Sequence, residues 1–317
     1  MSRKKSDLYQ ISRLPHKMSH RDRSSGIQLW RLLMAIFSNQ ATLSYNGTST
    51  DSNIAYGEIL DVLTATKTAV GGTYVPGEVV TYAVALRSTG TTTLSGLTVT
   101  DDLGGYAFGG GTVYPLTYEA GSVALFVDGV LQPAPAVTAG PPLVFTGISI
   151  PGGSDAVLIY KARANQFADP ADGGTIVNTV TVTGTGINTP ITATETVTVR
   201  TGPDLTISKS ISPAQVVDND RVTYTFVIQN SGNTPLVATD NAVITDTFDP
   251  VLTDLAVSFN GTAWTQGVQY NYDEATGVFS TVASNITVPA ATFTQDPVTG
   301  AYTMTPGTAT LTVTGTI

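Results

Sequence analysis

"LTATKTAVGGTYVPGEVVTYAVALRSTGTTTLSGLTVTDDL" at Leu63–Leu103 and "LTISKSISPAQVVDNDRVTYTFVIQNSGNTPLVATDNAVITDTF" at Leu205–Phe248 are one pattern written twice. Both carry a Lys at the fifth residue, then a Val-Thr-Tyr run, a Ser/Thr-Gly turn and a strand end reading Val/Ile-Thr-Asp. Within each copy, short runs of alternating polarity are broken by Gly, Pro, Asn and Asp, the mark of antiparallel sandwiches. The self-similarity predicts two such units in tandem. The expected fold is all-β: an Ig-like β-sandwich over residues 60–202 and a second over 203–317.

Composition agrees. Charged residues make up only 12% of the 317-residue chain, and Val, Thr, Ala, Gly and Ile dominate, which favours strand over helix. The absence of Cys excludes disulfides and thiolate metal sites. His16 and His20 are the only histidines, so a His-based triad or metal cluster in the body is excluded. No cofactor and no metal are expected.

Charge is divided unevenly. Residues 1–33 hold 8 of the 15 Lys and Arg but 2 of the 24 Asp and Glu, leaving 7 basic and 22 acidic residues from Met34 onward, a net charge of −15. An acidic body repels nucleic acid and anionic membranes. The apolar run "IQLWRLLMAIF" (Ile27–Phe37) is too short to span a bilayer and contains Arg31. It also makes a poor signal peptide, because the charged region before it is long. Residues 1–33 therefore read as a basic, disordered leader, or as an upstream extension of a chain that starts at Met34.

The two copies end differently. The first continues through "PGGSDAVLIYKARA" (Pro151–Ala164), then "IVNTVTVTG" (Ile176–Gly184), then "ITATETVTVRT", which leads into the second copy. The second continues through "PGTATLTVTGTI" (Pro306–Ile317), the counterpart of Pro151–Ala164, and no counterpart of the Asn178 strand follows. A similar strand, "FSNQATLSYNG" at Phe37–Gly47, instead precedes the first copy. The unit "Asn strand, turn, second strand, Lys strand" thus occurs twice, with Asn39 ahead of Lys67 and Asn178 ahead of Lys209. The expectation is that residues 34–59 are an N-terminal donor strand and linker, and that the strand fills the second sandwich of a neighbouring chain.

Successive strand residues point to opposite faces. Lys67 is in phase with Leu63, Ala65 and Ala69, and Lys209 with Leu205, Ile207 and Ile211. Asp101 is in phase with Leu97, Val99 and Leu103; Asp246 is in phase with Ile244 and Phe248. Asn178 shares a face with Ile176, Val180 and Val182, and Asn39 shares one with Phe37, Ala41, Leu43 and Tyr45. Any one of these polar residues is explained by a strand end bending into solvent. Three types recurring in phase are harder to explain that way, and two of the body's three lysines (Lys67, Lys161, Lys209) occupy the repeat position.

Lys, Asp and Asn on inward faces are the ingredients of an autocatalytic isopeptide bond. An apolar core disfavours the ammonium and makes the amine nucleophilic. A protonated Asp hydrogen-bonds the Asn amide, polarises it and shuttles protons, and folding supplies proximity. The expected sets are Lys67, Asp101 and Asn178 within the first sandwich, and Lys209, Asp246 and an incoming Asn39 between chains.

This arrangement resembles the isopeptide-bonded Ig-like domains of Gram-positive pilins and collagen adhesins, in which Lys lies on the first strand, Asp on a middle strand and Asn near the last. The repeat as a whole, from about residue 35 to 317, also resembles the bacterial surface family called domain of unknown function eleven. The resemblance implies a surface location and a bond made without an enzyme. It is not accompanied by a sorting motif.

Other motifs carry less. "VVDNDRV" (Val216–Val222) lacks the spacing of a calcium loop. "LGGYAFGGGT" (Leu103–Thr112) opens no helix and has no Lys, so it is not a phosphate loop. Of the adjacent pair Asp101 and Asp102, one should face away from the core, against glycosidase chemistry.

The expected function is a structural subunit of an extracellular or spore-surface filament, a homopolymer joined head to tail by donor strands across a heterologous interface that does not close. The alternative is a monomeric adhesin or ligand-binding module. An enzyme acting on an external substrate is the third reading.

Overall fold

A computed structural model of the chain describes residues 35–59 and 62–317; the basic leader, residues 1–33, lies outside them. The described residues are nearly all strand, with a single short 3-10 turn at Ala238–Asp240. The chain divides into two compact units, residues 1–60 and 61–317.

In the first unit, residues 35–59 form a β-hairpin. Ala35–Asn39 pairs antiparallel with Ala55–Ile59, Asn39 opposite Ala55. Nearer the tip, Thr42–Tyr45 pairs with Thr48–Asp51. The connection is Asn46-Gly47 with φ of 44° and 78°, the left-handed pair that a tight hairpin turn demands. The segment assigned as a donor strand and linker therefore holds paired strands on both sides of a turn, with the second strand that the repeated unit places ahead of Lys67. Every residue from Ser38 to Tyr56 is exposed, including Leu43, Tyr45, Ile54 and Tyr56. A two-stranded hairpin with no covering layer is marginal by itself in water.

The second unit contains two hydrophobic cores. Around the first, one sheet runs in the order Val130–Gln132, Ala124–Val127, Asp155–Ala164, Val79–Ser88, Leu63–Ala69. The facing sheet runs Ala136–Thr138, Leu143–Ile150, Leu94–Asp101, Thr175–Thr183, Ile191–Val199, Thr73–Tyr74. Alternation places Val84, Leu86, Leu97, Val99, Phe145, Leu158, Val180 and Val182 between the sheets, all fully buried. Tyr82 and Tyr160 stack at 5.7 Å and sit in the same core.

Around the second core, a five-stranded sheet runs Leu205–Ser212, Arg221–Asn230, Gly307–Thr316, Thr253–Phe259, Thr262–Trp264. Among the described residues it faces a three-stranded sheet, in the order Thr245–Thr247, Val278–Thr281, Tyr270–Asp273. In the first sandwich the Asp101 strand has neighbours on both sides. Its repeat counterpart, Thr245–Thr247, pairs with Val278–Thr281 alone, and no other described residue pairs with its free edge.

That gap exposes the Lys209 strand, whose residues are exposed along its full length. Leu63 is 3% exposed, whereas Ile207 is 55% exposed. The alternation that led Leu205, Ile207 and Ile211 to be expected inside is present. What is missing is a layer to cover them.

The two sandwiches join firmly. Ile191–Val199 passes through residues 200–204 directly into Leu205–Ser212. Tyr302 N–H donates to Gln166 O (2.8 Å), Asn233 Nδ2 donates to Pro170 O (3.1 Å), and Gln295 Nε2 lies 2.9 Å from the Tyr106 hydroxyl. The turn ahead of each sandwich's third strand is fastened alike: Thr89 N–H donates to Val62 O and Ser231 N–H to Asp204 O, both at 2.8 Å.

Candidate functional site

Lys67 lies at the middle of the edge strand Leu63–Ala69, opposite Val84. Asp101 closes the strand Leu94–Asp101 in the facing sheet, opposite Val180. Asn178 is two residues before Val180, on the strand next to Asp101. All three expected residues point into the first core, and each is buried.

Asp101 gathers the site. Lys67 Nζ donates to its Oδ2 at 2.7 Å, with both side chains 0% exposed. The Tyr160 hydroxyl donates to the same oxygen, and the Leu103 amide donates to Oδ1 at 2.7 Å. The Lys67 ammonium also lies 4.9 Å from the centre of the Tyr82 ring. An ion pair taken out of water needs such extra partners to offset its desolvation.

The loop after Asp101 holds the Asn178 strand in place. Leu103 and Gly104 both have positive φ, and a Cβ at Gly104 would lie 2.6 Å from Ile176 Cγ2. Asp102 turns away from the core, as expected, and its Oδ1 accepts from both the Gly104 and the Thr179 amides at 2.9 Å. Thr179 is the residue next to Asn178, so Asp102 anchors the strand at the point where Asn178 enters the core.

Asn178 is the odd member. Its side chain is fully buried, yet neither its oxygen nor its nitrogen has a hydrogen-bond partner. It faces the hydroxyls of Tyr82 and Tyr160 without meeting the geometry of a bond, and the Tyr82 hydroxyl is unpartnered too. A buried polar group left this way costs about 1–3 kcal/mol and calls for an explanation.

Burial is the main influence on the Lys67 amine and holds its pKa below the ordinary value, against the opposing pull of the Asp101 carboxylate. Burial, then the charge on Asp101, pushes the Tyr160 hydroxyl well above its ordinary value. Burial likewise raises that of Tyr82. The site thus pairs a lysine whose amine gives up its proton more readily than usual with two hydroxyls that hold theirs more tightly.

The second sandwich repeats half of this. Lys209 is ion-paired to Asp246, and its Nζ lies 4.5 Å from the Tyr224 ring centre and 5.2 Å from that of Phe248. The Lys209 side chain is 38% exposed, because among the described residues no strand lies where the Asn178 strand lies in the first sandwich. Asn39 is in the other compact unit, on its exposed hairpin. Ala41, Leu43 and Tyr45 are exposed on the same hairpin; the Phe37 side chain is outside the described residues.

The tyrosines were not anticipated as part of the site. Tyr82 belongs to the repeated Val-Thr-Tyr run and was readable there. Tyr160 pairs with Tyr82 across the sheet, but in the second sandwich Val313 pairs with Tyr224, so the repeat carries no mark of it. Among the described residues, no group of three or more His, Cys, Asp or Glu is placed to hold a metal ion, and no helix is long and apolar enough to cross a membrane.

No family model matches the chain, and no curated protein sequence matches it. Among solved structures it is similar to BcpA, the major pilin subunit of Bacillus cereus, at 14% identity and a TM-score of 0.35, covering 86% of this chain and 73% of that one. It is also similar to a 35 kDa C-terminal fragment of the major pilin GBS80 of Streptococcus agalactiae, at 13% identity and a TM-score of 0.33, covering 78% of this chain and 91% of that one. A third is the pilus backbone protein RrgB of Streptococcus pneumoniae, at 12% identity and a TM-score of 0.32, covering 77% of this chain and 55% of that one. Similarity at this level leaves function to be read from the geometry of the chain itself.

Proposed function

We propose that the chain is a structural subunit that polymerises head to tail into a filament outside the cell or on its surface, each copy donating its N-terminal strand to the second sandwich of the next. One observation carries this reading. The first sandwich is closed over the Lys67 strand by the paired strands Thr175–Thr183, which bears Asn178, and Ile191–Val199, the Lys209 strand of the second is exposed along its length, and Asn39 lies on an exposed hairpin. A groove of this kind with free edges is an aggregation hazard unless filled.

Strand exchange between copies presents different surfaces on the two partners, so it propagates as an open thread.

The proposed chemistry is a Lys67–Asn178 isopeptide bond within each chain and a Lys209–Asn39 bond between chains. The neutral amine attacks the side-chain carbonyl carbon of Asn, a C–N bond forms, the C–NH2 bond breaks, and ammonia leaves with the proton given up by the amine. Asp101, or Asp246, carries that proton between the nitrogens. No oxidant or cofactor takes part. The buried Asn178 amide without a hydrogen-bond partner supports this reading.

The test is electron microscopy and boiled denaturing gels on purified chain with and without residues 34–47. Fibres and a ladder that both vanish on deletion support the reading. Normal fibres from the deleted chain overturn it.

A further inference from the structure

Resting on the strand-exchange reading, we propose that the donor is the whole hairpin: Ala55–Ile59 enters the acceptor together with Ala35–Asn39 and covers its Lys209 strand.

The first sandwich contains the precedent. Thr175–Thr183 never stands alone there; it is paired along its length with Ile191–Val199, Asn178 opposite Glu195. The second of these strands covers the Lys67 strand, and Glu195 Oε1 accepts from the Ala69 amide at 3.3 Å. The N-terminal hairpin has the same construction, with Asn39 opposite Ala55. If Asn39 takes the place of Asn178, the pairing carries Ala55 to the place of Glu195, beside Ile211, the counterpart of Ala69.

Connectivity agrees independently. Ile191–Val199 leads through a short linker into the Lys209 strand, and Ala55–Ile59 leads through a short linker into the Lys67 strand. Each linker ends in the same fastening, Asp204 O to the Ser231 amide and Val62 O to the Thr89 amide. A single inserted strand would leave Leu205, Ile207 and Ile211 without the layer that covers Leu63, Ala65 and Ala69. The second strand supplies that layer. The join between two copies then reproduces the join between the two sandwiches of one copy.

The chain has no Cys of its own, which makes the test clean. An Ala55→Cys/Ile211→Cys chain is assembled from a mixture of isotope-labelled and unlabelled protein and treated with a short bis-maleimide. Ala69→Cys/Glu195→Cys, the equivalent pair within the first sandwich, calibrates the reagent. The expected result is joined peptides carrying positions 55 and 211, half of them of mixed label. Fibres in which the calibrating pair links but positions 55 and 211 do not would overturn the hairpin and leave a single-strand donor standing. Joined peptides only of unmixed label place the hairpin on its own chain and overturn both. Fibres that persist without residues 34–47 also overturn both.

Discussion

Lys67 Nζ and Asp101 Oδ2 lie 2.7 Å apart with neither side chain reaching solvent. The same pairing in the second sandwich, Lys209 with Asp246, leaves the lysine side chain 38% exposed. The difference is not in the two residues but in what covers them. Burial lowers the pKa of the first lysine, and the second is left partly in solvent.

Bond formation in the first sandwich is read by intact mass. Folded chain is expected to weigh less than its sequence by one ammonia, with Lys67 and Asn178 recovered as one branched peptide. Lys67→Ala and Asp101→Ala restore the full mass. A well-folded wild-type chain at full sequence mass would falsify the bond.

Without the bond, the ion pair becomes measurable. In an Asn178→Ala chain, Asp101→Ala is expected to cost about 3–5 kcal/mol in urea unfolding, because it leaves a buried charge alone. Lys67→Met together with Asp101→Leu in the same background should cost far less, since no buried charge is then left unpaired. Equal losses from the single and the double change would show that the pair has no such role.

The Asn178→Ala chain also has a predicted pH profile. Its folded Lys67 amine releases its proton below the ordinary 10.5, so between the lowered value and 10.5 the unfolded chain binds more protons. Stability therefore rises with pH across that window and is lost as pH falls through the folded value. Tyr160, raised well above 10.0, works in the opposite direction once the unfolded tyrosine ionises, so the rise stops there. Urea midpoints across a pH series check this; a midpoint that falls from neutrality upward contradicts it.

Asn39→Ala separates insertion from cross-linking. Fibres are expected to form, because the strand faces are unchanged, and then to dissolve to monomers on boiling in detergent. Covering each half-exposed apolar residue such as Ile207 and Ile211 contributes roughly 1 kcal/mol, enough for insertion without a covalent link. Asn39→Ala fibres as resistant to boiling as wild type would remove the Lys209–Asn39 bond from the scheme.

Removal of residues 1–33 is expected to leave fibre formation unchanged, since the proposed junction uses nothing before Ala35. Loss of fibres in electron micrographs of the shortened chain would assign the basic leader a part in assembly.

The buried trio was legible because three signals coincided. The repeat marked Lys67 and Asp101, period-two alternation set their face, and Asn178 shared a run with Ile176, Val180 and Val182. The opening over Lys209 was read from the repeat, whose second copy shows no Asn178 strand among residues 205–317; alternation alone reports which way a side chain points and not whether anything lies opposite. Ile207 has the pattern of a core residue and is half in water. Tyr160 escaped because its counterpart is Val313. The hairpin carried its own signal in Asn46-Gly47, and the repeated unit of Asn strand, turn and second strand placed a second strand ahead of Lys67, although the segment as a whole was assigned as one donor strand and a linker.

The place of Lys67 near the start of its sandwich, and of Asn178 near the end, has a mechanical consequence. A pull along the thread enters the first sandwich at Leu63 and leaves it at Val199. Once Lys67 and Asn178 are joined, the shortest covalent path between those points crosses from one side chain to the other. The 110 residues from 68 to 177 then carry no tension, and the sandwich cannot be drawn out however many of its backbone hydrogen bonds are broken. What could lengthen within the sandwich is then confined to residues 63–67 and 178–199, so a thread built this way would extend only by opening its outer hairpin, while the rest of each sheet need only hold its shape.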